Sequence, residues 1–355
     1  MLGLQVGQAG MIACSVGSCD ENCAAGQVGD SIDRGGIMGV VVHQAEVFYR
    51  SPEVGLRYLP EGPAVCGPNR MSWVAIQHGS DARVGSLNIL DTRSLNNTTV
   101  DLPGRPGFAF PTRSSMTWLI GLERQLGLYD LQSESWEVLV DGIDDDVEDT
   151  IVNDGVVFSE GVLFGTKHLE FNDKRAGLYL WRYSDQRLIR LRDDQICSNG
   201  KVVFCGDHGY RLLDIDSPTQ TVVSYSLDVE RGVLGDSQVV LDWREAEDFP
   251  DGMIATPDGN SVVVAFYNPT DVPFGEVRQY GLEHGDLEVV WRVPQSPQVT
   301  CPQWVEDNGS VKLVITTAAE NMTTERLSRH PQAGSLFIAP TELATLPEAI
   351  VFDPG

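Results

Sequence analysis

Six short apolar runs recur along this chain: MSWVAI (71–76), MTWLIGL (116–122), GVLFGT (161–166), KVVFCG (201–206), SVVVAF (261–266) and VKLVITT (311–317). Their starts lie 40 to 60 residues apart. They are followed by second runs holding an aromatic or aliphatic pair: GSLNILD (85–91), LGLYDL (126–131), AGLYLWR (176–182), TVVSYSL (221–227), GEVRQYGL (275–282) and GSLFIA (334–339). β-Branched and aromatic residues dominate both sets, and Gly, Asp, Asn or Pro bound them, so each pair reads as a hairpin. One such small sheet cannot bury both of its faces, whereas six similar units stacked around an axis bury one another's. The pattern predicts an all-β fold, a six-bladed β-propeller with four-stranded blades. A β-sandwich with extra loops would need no such repetition.

Working outward, the six runs are taken as the first strands of their blades. No segment has the period of a long amphipathic helix; ESWEVLVDGI (134–143) comes nearest, and its β-branched content and glycine favour a strand. HQAEVFYR (43–50) and the tail LATLPEAIVFD (343–353) are expected to complete one blade together. Residues 1–42 are rich in Gly, Ala and small polar side chains with no lasting period, and are read as a flexible N-terminal extension, with Met38 as an alternative start; the propeller then occupies 43–355. Trp118, Tyr129, Trp136, Tyr179, Trp181 and Trp291 are assigned to packing between blades.

The formal net charge of -26 opposes binding to phosphate backbones or anionic lipid, so neither nucleic acid nor membrane is expected as a partner. No apolar stretch reaches the length of a transmembrane helix. The seven cysteines form no repeated C-x-x-C pair, which argues against a cysteine zinc site or a disulfide framework. Met1 to Ala13 has no basic start and is a poor signal peptide, so a cytoplasmic location is expected, with secretion as the alternative. A monomer or homodimer is expected.

Four turn-like signatures fall beside these runs: LPEGPAV around Glu61, IVNDGVVF around Asn153, CSNGKVVF around Asn199 and FPDGMIA around Asp251. The intervals between the four residues are 92, 46 and 52 residues, which are two, one and one repeats. Equivalent blade entrances converge on the central channel, so these side chains are expected to surround one point. One Glu, one Asp and two Asn make a set of hard oxygen donors suited to calcium, magnesium or manganese, while zinc and iron(II) also accept them. Taken singly, NDG, SNG and PDG are ordinary turn sequences, because Asn/Asp-Gly suits positive φ. The second PDG, at 257–259, is read as such a turn, and Asp144–Asp146 as a solvated one.

At these residues the chain resembles the gluconolactonase, regucalcin and senescence-marker family over roughly residues 45–350. The resemblance implies that Glu61 (EGP), Asn199 (SNG) and Asp251 (PDG) bind one divalent metal ion, calcium foremost, and that Asn153 (NDG, followed by GT at 165–166) sits on the substrate side. DSPTQTVVSY (216–225) is similar to the family's Asp-Thr-Pro-Thr strand and turn. The sequence departs from the family pattern at two places. Ile151 stands where some members carry an arginine that grips a polyol, and KHLEF follows GT where Met and acidic residues are usual. Lys167, His168 and Glu170 are therefore expected near an altered substrate. The implied activity is metal-dependent hydrolysis of a small-molecule sugar (aldono) lactone to its acid. Asp251 is the candidate general base and Asn153 orients a substrate hydroxyl or carbonyl. His168, Glu170 and Arg124 are further candidate substrate contacts. The rival readings are hydrolysis of a phosphotriester or aryl ester and a non-enzymatic calcium-binding propeller.

Overall fold

The computed structural model describes residues 39–114, 116–206, 209–346 and 351–352. The expected extension lies outside these residues as far as position 38. Six sheets are present, each running outward from an innermost strand: Pro60–Gly67, Pro106–Pro111, Thr150–Phe158, Ser198–Gly206, Phe249–Ala255 and Val299–Asp307. Each innermost strand packs against the next, and the last returns to the first, which closes the ring. The described residues contain one α-helix, Thr324–Arg329, and no helix long and apolar enough to cross a membrane.

The apolar runs turn out to be second strands in five blades: Arg70–Ala75, Thr117–Leu122, Gly161–His168, Ser261–Tyr267 and Ser310–Thr317. The reason is burial. The strand beside the axis has one side facing the channel, whereas the next one out is covered on both faces by neighbouring blades. All eight residues of Gly161–His168 are buried, and all but the first of Arg70–Ala75. KVVFCG is the exception, because it belongs to the innermost strand Ser198–Gly206. The second strand of that blade, Gly209–Asp216, reads GYRLLDID, and its charged residues hid it from an apolar search.

Closure also differs from expectation. HQAEVFYR is two strands rather than one. Glu46–Tyr49 pairs antiparallel with Leu336–Pro340 and completes the sixth blade. Val41–Gln44 pairs in parallel with Leu287–Pro294 and gives the fifth blade an extra edge strand. The tail at 343–353 is not the closing partner. Its described Phe352 forms an isolated bridge to Thr112 and is buried against Trp181 and Tyr183, with ring centroids at 5.8 and 5.4 Å. A strand from each chain terminus in one sheet ties the ring shut through backbone hydrogen bonds, which no local sequence signal specifies.

Candidate metal and substrate site

Every innermost strand breaks register at the same height: between Glu61 and Ala64, Pro106 and Phe108, Val152 and Gly155, Ser198 and Lys201, Pro250 and Met253, and Val299 and Pro302. The four signatures are thus bulges within the strands and not turns ahead of them. A bulge spoils strict alternation, so consecutive residues can serve different spaces. Glu61, Asn153, Asn199 and Asp251 line a cavity of about 340 Å³, and Gly62, Asp154, Lys201, Met253 and Cys301 line a second one of about 390 Å³ beyond the bulges. The glycines have a matching reason. Gly155, Gly200 and Gly252 do not have positive φ, so left-handed backbone does not explain them. A Cβ on Gly200 would lie 2.5 Å from the Met253 Cβ, and one on Gly252 2.6 Å from the Cys301 Sγ. The inner strands approach too closely for side chains there. Gly259 of the second PDG does have φ +71 and is the ordinary turn expected.

Hydrogen bonds fix the direction of both amides. Ser217 Oγ donates to the Pro250 carbonyl at 2.6 Å, so it is an acceptor towards Asn199 Nδ2 at 2.8 Å. Asn199 Oδ1 accepts from Asn153 Nδ2 at 2.8 Å, and the same Nδ2 donates to the Ser198 carbonyl at 2.9 Å. A backbone carbonyl can only accept, and one ends the chain at each amide. Both hydrogens of Asn153 Nδ2 are taken, and its side chain has only its oxygen left to offer the cavity. Asp216 accepts from the Cys197 N–H at 2.8 Å and the Ile196 N–H at 3.1 Å, anchoring the start of the strand that carries Asn199.

The two carboxylates lack an adequate countercharge. Asp251 is 7% exposed, and its Oδ1 has no hydrogen-bond partner among the described residues. Among the described residues, Glu61 accepts only from the N–H of Gly62, at 3.3 Å. Its pKa is pushed up to about 8, first by burial and then by the charge of Asp154, with Lys167 opposing. Asp251 is raised well above the usual carboxylate range by burial, then by Glu61 and Asp154. Among the described residues, no three His, Cys, Asp or Glu side chains gather in metal-holding geometry. The donors on offer include the two carboxylates and two amide oxygens of the signatures, a set of hard oxygens, and the orphaned Asp251 Oδ1 is among them. A divalent cation fits this chemistry.

Three sequence-predicted contacts lie elsewhere. Arg124 is consumed by the chain, donating to the carbonyls of Asp144, Val147 and Thr150 and to Thr150 Oγ1. His168 is buried away from the cavity, and Glu170 is exposed, accepting from Asn172. Strand alternation explains His168, since only one of the neighbours Lys167 and His168 can face the axis, and it is Lys167. Asp144 also departs from expectation. It is 2% exposed and accepts from Thr166, at 2.5 Å, and from Tyr179. Ser217, Phe171, Phe249, Tyr267 and Glu320 line the cavity without having been singled out. Ser217 had a visible signal in DSPT; Glu320, which accepts from Tyr267 at 3.3 Å, comes from a loop with none.

Residues 59–319 match the family described as the SMP-30/Gluconolactonase/LRE-like region. An uncharacterized protein of Sulfolobus acidocaldarius is 31% identical over 173 residues, covering 49% of this chain and 56% of that protein. A putative sugar lactone lactonase of Bacillus subtilis is 30% identical over 179 residues, covering 50% of this chain and 57% of that protein. The match therefore spans little more than half the length of these two relatives. Regucalcin of Gallus gallus is 25% identical over 283 residues, covering 73% of this chain and 91% of that protein. Among solved structures, a calcium-binding regucalcin from Agrobacterium tumefaciens superimposes with a TM-score of 0.73 at 20% identity, over 88% of this chain and 99% of that one. A luciferin-regenerating enzyme gives 0.70 at 16% identity, over 84% and 96%. At these identities the structures share the fold.

Proposed function

The chain belongs to the SMP-30/gluconolactonase/LRE-like family, and from that premise we propose that it is a divalent-metal-dependent hydrolase opening a sugar lactone to the corresponding acid. One observation carries the reading: two carboxylates and two directed amide oxygens converge on one cavity, and among the described residues no group partners the Asp251 Oδ1. Glu61, Asn199 and Asp251 would hold the ion. Calcium is the first choice because the donors are all oxygen, and magnesium, manganese, zinc and iron(II) are the alternatives to test beside it. When bound, such an ion polarises the ester carbonyl and makes a neighbouring water more acidic.

The chain's own groups supply the rest. Asp251 takes a proton from the water as the water oxygen bonds to the carbonyl carbon. The ring C–O bond then breaks, and the ring oxygen leaves as a hydroxyl by taking the proton that Asp251 holds. Asn153, with both amide hydrogens engaged, accepts from a substrate hydroxyl. Phe171 and Phe249 form apolar walls that reduce the water around the ester.

The test is a pH-indicator assay of five- and six-membered aldonolactones, with chelated protein re-loaded with each ion in turn. Metal-dependent opening that Asp251→Ala removes from a folded protein is the expected result. A folded, metal-loaded protein that opens no lactone but cleaves an aryl ester or phosphotriester would replace the lactonase reading with that activity.

A further inference from the structure

Lys167 and Lys201 are both buried beside the axis, and they differ in one respect. Lys201 is satisfied: its Nζ donates to the Asn199 carbonyl at 2.5 Å and lies 3.5 Å from Asp214. Lys167 is 7% exposed and lines the cavity that holds Glu61 and Asp251. Among the described residues its Nζ has no hydrogen bond and no carboxylate within ion-pair distance. The Nζ lies 5.9 Å from the centroid of the Phe171 ring. A buried ammonium without an anion is costly, and a bound anion offsets that cost.

We propose that Lys167 receives an anionic group of the substrate, so that the lactone opened here carries a carboxylate. This rests on the lactonase reading above. Glu61 and Asp251 feel the ammonium at longer range but are committed to the cation, and Glu320 is engaged by the Tyr267 hydroxyl. One ammonium matches one carboxylate. A doubly charged phosphate would meet that single ammonium against three cavity carboxylates, with no arginine among the described lining residues.

Two measurements on the metal-loaded full chain decide it. The first compares kcat/KM for a neutral aldonolactone and a carboxylate-bearing lactone of the same ring size, in wild type, Lys167→Met and Lys167→Arg. The expected result is a wild-type preference for the acidic lactone of about tenfold or more, carried by KM, that falls below about twofold in Lys167→Met and returns in part in Lys167→Arg. The second is calorimetric binding of glutarate and of its uncharged diamide. Glutarate should bind the wild type and lose about tenfold in affinity in Lys167→Met, while the diamide should not discriminate. A preference that survives Lys167→Met, or a wild type that does not bind glutarate, overturns the inference. If neither lactone is opened, the lactonase reading fails, and the glutarate comparison still settles whether Lys167 is an anion receptor.

Discussion

On one side of the bulges the channel is ringed by Glu61, Asn153, Asn199 and Asp251; on the other it is walled by Phe108, Phe110, Phe204 and Trp304, with Asp154 and Lys201 among the lining groups. All six innermost strands line the second cavity, and the four that carry Glu61, Asn153, Asn199 and Asp251 also line the first. In the second, burial raises the pKa of Asp154, while the charge of Lys201 and the Gly155 N–H, which donates to it at 2.7 Å, hold the rise down. In the first, Asp251 keeps an oxygen with no partner among the described residues. A pocket that leaves its own polar atoms unsatisfied is shaped for something outside the chain. The difference arises at the bulges, where neighbours such as Asn153 and Asp154 are sent to different cavities.

The sharpest way to break this contrast is Asp251→Ala. Lactone hydrolysis should fall by about 10²–10⁴-fold with the protein still folded, as read by initial rates beside a thermal melt. Turnover within tenfold of the wild type would move the chemistry away from this cavity. Phe108→Ala probes the other side. Phe108 is 1% exposed and packs on Phe110 and Phe164 at 5.0 and 5.9 Å between centroids. Its truncation should cost about 3–5 kcal/mol in denaturant unfolding and leave metal affinity nearly unchanged. A large loss of metal affinity would mean that the two cavities are coupled.

Ser217→Ala tests the orientation of the amides. Without the hydroxyl between Asn199 and Pro250, Asn199 can turn its NH₂ inward, and metal affinity measured by calorimetry should weaken about 10–100-fold. Ser217→Thr, which keeps the hydroxyl, should restore it. A smaller effect is expected in pH dependence. Glu61 titrates near 8 in the fold against 4.5 as an ordinary glutamate, so between those values the folded state holds more protons than the unfolded one. Stability of the metal-free protein should therefore fall as pH rises from 5 to 8. Asp251, raised by burial and by the charge of Glu61, and Asp214, pushed up to about 6 by burial, contribute to the same fall, so Glu61→Gln should flatten part of it. Saturating calcium should also flatten it, because the cation replaces the proton. A slope unchanged by Glu61→Gln would remove Glu61 as its source.

Much of the fold was legible because second and third strands are buried on both faces and carry uninterrupted apolar residues. Gly209–Asp216 was missed because Arg211, Asp214 and Asp216 break the run, and two of them serve interior partners: Asp214 accepts from Gln195, and Asp216 holds the Cys197 N–H. Arg124 was misread for the opposite reason. An arginine in a loop looks available, and nothing in its neighbours shows that three backbone carbonyls already occupy it. Glu320 had no signal, since its place beside Tyr267 depends on how a loop of the sixth blade lies against the fifth.

From the sequence by itself came the six-fold repeat, the strand character of the units and the chemical kinds of Glu61, Asn153, Asn199 and Asp251, because burial and residue type are written locally. Only the tertiary structure decided that the signatures are bulges, that Ser217 directs Asn199, that Lys167 and not His168 faces the cavity, and that Glu46–Tyr49 closes the ring. Each of these depends on which distant strand lies alongside and in what register, and that is settled when the blades pack.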